Sequence, residues 1–145
     1  FSHYDSMDAL RADAIAAANE RYQQFLQQEM QNREYPPYKA SGIAYIHFAK
    51  AEKELFRLLF MRDRSAEDKR QNWDEIRPIL QIIQQNTGLS EEEAYRFHLE
   101  MWVYVHGIAT MIATAYLDWD PDSISQMLTD AYLGLRARFC QKEIR

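Results

Sequence analysis

The sequence predicts an all-α fold, a single helical domain of about six helices. Three observations lead there. Only 4 glycines and 4 prolines occur in 145 residues, which leaves few turns and favours long helices over many short strands. Apolar residues recur at steps of three and four, with no alternation of period two. Helix-start chemistry precedes several of these runs. Hydrophobic residues make up 47% of the chain and aromatic residues 13%, enough for a core of large side chains without disulfides.

The elements follow in order. Asp5 or Ser6 caps a first helix, and Leu10, Ala14, Ala18, Tyr22, Phe25 and Leu26 give it an apolar stripe. Pro36-Pro37 ends it. A second segment runs from about Lys39 to Met61, with Gly42, Ile43, Ile46 and Ala49 on one stripe and a break expected at Glu52-Lys53-Glu54. Arg62 to Asp68 reads as a charged loop, where Ser65 and Asp68 can open the next helix as a capping pair. That helix carries Trp73, Ile76, Leu80 and Ile83; Pro78 implies either a start near Asp74 or a kink, and Gly88 an end. Ser90-Glu91-Glu92-Glu93 is a capping box with acidic charge at the positive end of the helix dipole. The helix it opens is expected to reach about Leu117. Asp118 to Asp120 turn the chain, and Pro121 begins a last helix that runs to about Cys140.

The helix from Ala94 to Leu117 is apolar on nearly every side. At about 100° per residue, one face collects Ala94, Tyr95, His98, Met101, Trp102, Val105, Ala109, Ile112, Ala113 and Tyr116. The opposite face collects Arg96, Glu100, Val103, Gly107, Thr110 and Thr114 at heptad steps, with small residues in its later part. The last helix repeats the pattern: Ile124, Met127, Leu128, Ala131, Leu135 and Phe139 form one stripe, and Gln126, Asp130, Leu133, Ala137 and Cys140 a weaker second. Two such helices from each of two chains make an intermolecular four-helix bundle, so a homodimer is expected; the alternative is that both helices are simply central in a monomer. Its interface would use Glu100, Val103, Gly107, Thr110, Thr114, Gln126, Asp130, Leu133 and Ala137. The first face would meet segments bearing Tyr22, Phe25, Tyr45, Phe48, Phe56, Phe60 and Trp73. If buried, His98 and Tyr45 need hydrogen-bond partners, which a pocket with water or ligand supplies.

Several function classes are disfavoured. A net charge of −5 is poor for a nucleic-acid surface. The apolar run from Met101 to Leu117 is shorter than the ~20 residues of a membrane span and holds His106, Gly107, Thr110 and Thr114. His98 and His106 stand two helical turns apart, and no Glu-x-x-His step or cysteine pair is present, so no metal or other cofactor is expected. There is no nucleophile elbow, phosphate loop or dinucleotide fingerprint, and no catalytic residue is assigned. The single cysteine, Cys140, suits a reducing cytoplasm.

"FSHYDSMDAL" (1–10) resembles the junction between the recognition helix and the next helix of TetR-type transcriptional regulators. "AYIHFAKAEKELFRLLFMRDR" (44–64) resembles the early helices of their regulatory domain, and "MWVYVHGIATMI" (101–112) their first dimerisation helix. The resemblance implies that residues 1–5 are a remnant of the DNA-binding helix-turn-helix domain, and that 6–145 form the ligand-binding and dimerisation domain. The start at Phe1 without an initiator methionine agrees with a fragment.

What the resemblance implies is a dimeric, cytoplasmic repressor that senses a small-molecule effector among its middle helices. The first helix transmits that binding to the DNA-reading heads. Operator DNA is reached only through the missing N-terminal domain, although His3 matches a position that often contacts a phosphate. A lysine frequent at the start of the linking helix is replaced by Met7. Phe48, Trp73, Tyr95, His98, Met101, Trp102 and His106 are expected near the effector, with Phe48 and Trp102 as apolar walls and His98 as the orienting hydrogen bond. The rival from another class is a ligand-free helical dimerisation scaffold, whose interior is only core.

Overall fold

In the computed structural model, the described residues are 6–67 and 73–141. Six helices follow one another: α1 (Met7–Asn32), α2 (Pro37–Ala51), α3 (Lys53–Phe60), α4 (Trp73–Thr87), α5 (Glu91–Ala113) and α6 (Pro121–Cys140). No strand occurs among the described residues. Helices α2 and α5 form the centre. α1 packs on α2 and α3, α3 and α4 each touch both central helices, and α6 rests against both.

The helix starts follow capping chemistry. The Ser6 hydroxyl accepts from the amide of Ala9 at 3.1 Å and opens α1. The Ser90 hydroxyl accepts from the amide of Glu93 at 3.2 Å, while donating to the Glu93 carboxylate at 3.0 Å. Glu93 thus reaches back to the cap's hydroxyl. Asp120 accepts from the amide of Ser123 at 2.7 Å, and Pro121 fills the first helical position of α6. Pro37 does the same for α2, so that helix starts two residues before the Lys39 expected from sequence. Glu52 has the non-helical backbone that separates α2 from α3, within the Glu52-Lys53-Glu54 break. Helix α4 continues through Pro78, whose ring nitrogen has no proton to offer the carbonyl of Asp74. The expected Ser65–Asp68 capping pair lies partly outside the described residues; the Ser65 amide donates to Asp63 at 2.9 Å.

The end of α5 corrects the sequence reading. The helix stops at Ala113, four residues before Leu117. Ala115 turns into the left-handed region at φ 58°, its amide donates to the Ile112 carbonyl at 2.9 Å, and the Tyr116 amide donates to Met111 at 3.0 Å. This double bond pattern is a Schellman stop, usually built around glycine. The Thr114 hydroxyl donates to the Thr110 carbonyl at 2.8 Å, and Arg57 reaches across from α3 to the Ala113 carbonyl at 2.9 Å. Carbonyls left without helical donors are thereby satisfied.

The buried stripe of α5 is also rotated. Ala94, Met101, Val105, Ala109, Ile112 and Ala113 are buried as expected, and so are Phe97 and Ile108, which the helical wheel left out. Tyr95 and Trp102 are 38% and 37% exposed, and Tyr116 is 75% exposed. The reason is α6: Tyr132 and Phe139 each pack on Phe97 with ring centroids 5.5 Å apart, drawing that side of α5 into the core. Lys39 ties α2 to α6, donating to the hydroxyls of Ser125 and Thr129 at 2.7 and 2.8 Å. At Gly42 an added Cβ would lie 3.4 Å from Leu128 and 3.6 Å from Val105, ordinary contact distances.

Candidate functional site

The seven residues expected near an effector fall into separate groups. Phe48 is fully buried and packs on Tyr22 at 5.3 Å, Phe25 at 5.5 Å and Phe56 at 6.4 Å. That cluster continues through Phe56 and Tyr45 to His106, and His106 lies under Trp102. Trp73 and Tyr95 pair at 5.8 Å, both more than a third exposed. His98 turns the other way, toward Tyr38 and through it to Tyr132. Met101 is buried.

The polar tips are satisfied within the chain. The Tyr45 hydroxyl lies 2.7 Å from His106 Nδ1, and the Tyr38 hydroxyl 3.0 Å from His98 Nδ1. The direction of each bond follows the imidazole tautomer. Burial pushes the tyrosine hydroxyls up and both imidazoles below their usual range, and the nearby Arg64 charge adds to the effect at His106. All four groups are therefore neutral near pH 7. The expectation that a ligand or water completes His98 and Tyr45 is corrected: each has a protein partner about 60 residues away in sequence. Neither Tyr38 nor Phe97 was marked by spacing or composition; both follow from where α6 lands.

Two open clefts lie elsewhere. One of about 340 Å³, between α1 and α2, is lined by Phe25, Gln28, Glu29, His47, Lys50 and Ala51, with Glu29 and His47 paired at 2.8 Å across it. The other, of about 310 Å³, lies between α5 and α6 along Arg96, Glu100, Leu135 and Phe139. None of the seven expected residues lines either cleft. Among the described residues, no three His, Cys, Asp or Glu side chains gather as a metal-ligand set, and no helix is long and apolar enough to cross a membrane.

The face assigned to a partner chain is open in the single chain. Val103 is 60% exposed and Leu133 53% exposed. Glu100, Thr114, Gln126, Asp130 and Ala137 are exposed too, while Gly107 and Thr110 are half-buried. An added Cβ at Gly107 or Gly134 would meet nothing within 4 Å. Inside the same seam the Thr110 hydroxyl is buried without a hydrogen-bond partner. His3 lies outside the described residues.

The described residues form a six-helix domain with no strand, built around an aromatic central helix. A family model described as "Tetracyclin repressor-like, C-terminal domain" matches residues 38–132, more than half of the chain. The chain belongs to this family of TetR-like C-terminal domains. Comparison with curated proteins and with solved structures gave no match.

Proposed function

We propose that this chain is the regulatory domain of a TetR-type transcriptional repressor, a cytoplasmic homodimer that senses a small-molecule effector. The family match over 38–132 carries the reading. The exposed apolar seam on α5 and α6 supports dimerisation, since a chain that leaves Val103, Leu133 and Leu99 open on adjacent helices gains by covering them. In this reading residues 1–5 end a DNA-binding head and 6–145 form the sensor. Helix α1 carries the signal to that head, which alone meets operator DNA, with His3 against a phosphate. The effector must favour one conformer over another to act. Phe48, Trp73, Tyr95, His98, Met101, Trp102 and His106 are the residues we place around it, and no catalytic role is proposed.

One observation favours the rival reading, a ligand-free dimerisation scaffold: Phe48 and Met101 are packed tight, and the open clefts lie away from them. Thermal shift against a panel of hydrophobic and cationic compounds separates the two. A sensor gains stability from one or more compounds, and the gain disappears in Trp102→Ala but persists in the surface variant Gln85→Ala. A scaffold gives no shift with any of them.

A further inference from the structure

The cleft of about 340 Å³ between α1 and α2 holds a carboxylate with unused capacity. Glu29 lines it with its side chain only 12% exposed. His47 Nδ1 lies 2.8 Å from one Glu29 oxygen. A carboxylate has no proton to give, so the imidazole donates and Nδ1 carries the hydrogen. The other oxygen accepts from no donor among the described residues, and a carboxylate left short of donors at this burial is costly. The cations nearby are engaged. Lys50, on the cleft wall, pairs with Asp118 at 3.3 Å. Arg21 stands 5.0 Å from the Phe25 ring centroid, bonds to Gln24, and does not line the cleft. The backbone adds charge of the same sign as Glu29. Glu29 opens the last turn of α1, which has no basic side chain, and Lys50 and Ala51 end α2. The last carbonyls of a helix carry partial negative charge and favour a cation beside them. Phe25 and Ala51 supply apolar surface in the same cleft.

We propose that this cleft binds a small organic ammonium ion, its N–H groups on the free Glu29 oxygen and the Gln28 amide carbonyl, its carbon body against Phe25 and Ala51. The site is separate from the effector site proposed among the middle helices, and its occupant fastens α1 to α2. Benzylammonium, benzyl alcohol and benzoate are alike in shape and differ in charge; each is titrated into the full chain by calorimetry at pH 7.5. Benzylammonium is expected to bind about tenfold tighter than the alcohol, as a charge-assisted contact requires, and benzoate is expected to bind weakest. Glu29→Gln keeps the shape and an oxygen for His47 but removes the charge: it weakens benzylammonium about tenfold and the alcohol less than about twofold. Lys50→Met, which removes the lysine of the lining, strengthens benzylammonium. Alcohol or benzoate binding as tightly as benzylammonium overturns the assignment, and so does a Glu29→Gln chain that binds benzylammonium like the wild type. No binding by any of the three, to a chain that melts normally, overturns it as well. Should Glu29→Gln fail to fold, the order of the probes on the wild-type chain and the Lys50→Met gain decide; a Lys50→Met chain that binds benzylammonium no tighter counts against the site. The sensing role is judged separately, by the compound panel and Trp102→Ala.

Discussion

Four polar tips, on Tyr38, Tyr45, His98 and His106, enter an interior built otherwise from aromatic and aliphatic side chains. Each is satisfied by another of the four. Removing one partner strands the other, which costs more than the bond itself contributes. Tyr45→Phe leaves His106 Nδ1 without its partner, and Tyr45 is 4% exposed, so water cannot readily replace it. The expected loss is about 1 kcal/mol, read from urea denaturation at pH 7.5. The imidazoles also set a pH dependence. Burial holds both below their usual range, so the unfolded chain binds protons that the folded chain does not. Their contribution is flat above about pH 7 and turns against the fold as pH drops through the unfolded histidine value of about 6.5. The melting temperature should fall between pH 7.5 and pH 5.5, and His98→Asn should flatten part of that fall. A melting temperature that rises on acidification would contradict the neutral-pair description. His98 and Tyr45 were legible in the sequence as polar groups in need of partners. The partners were not, because pairing across about 60 residues depends on how α2 settles on α5.

At the scale of elements, starts were more legible than ends. Ser6 and Ser90 announce their helices because a hydroxyl ahead of an apolar run has one obvious use, and Pro121 marks the first position of α6; the Asp120 cap emerged only from the structure. The end of α5 gave no such sign: a left-handed stop normally advertises itself with glycine, and here the position holds Ala115. An alanine at φ 58° carries a steric penalty that glycine avoids. Ala115→Gly is therefore expected to stabilise the chain by roughly 0.5–1 kcal/mol, despite the extra freedom it gives the unfolded state. Chemical denaturation decides this, and a loss of stability would mean that the stop is not where the structure has it. The rotation of α5 has a similar origin. A helical wheel locates an apolar stripe, but Phe97 and Trp102 are both large and apolar. Which one is buried depends on Tyr132 and Phe139 of α6, far along the chain.

For the whole molecule, the all-α class and the six-helix order were readable from sequence, since sparse turn residues and recurrent caps leave little choice. The candidate site was only half readable. Its residue types were identified, but their division among a buried cluster, a surface pair and the Tyr38 contact required the assembled helices. The partner face is the feature on which the proposed dimer turns. Val103 and Leu133 are exposed apolar side chains, and nothing crowds Gly107 or Gly134; this is the surface the proposed second copy would cover. Gly107→Lys places a long charged side chain in that seam without touching this chain's own core, because nothing lies within 4 Å of the added Cβ. It should separate the protomers while helicity persists.

Sedimentation equilibrium of the wild-type chain and Gly107→Lys, at micromolar concentration, tests this most directly. The account predicts a wild-type mass twice that of the chain and a single-chain mass for the variant. A wild-type chain that sediments as one protomer, or a variant that stays dimeric, would contradict it.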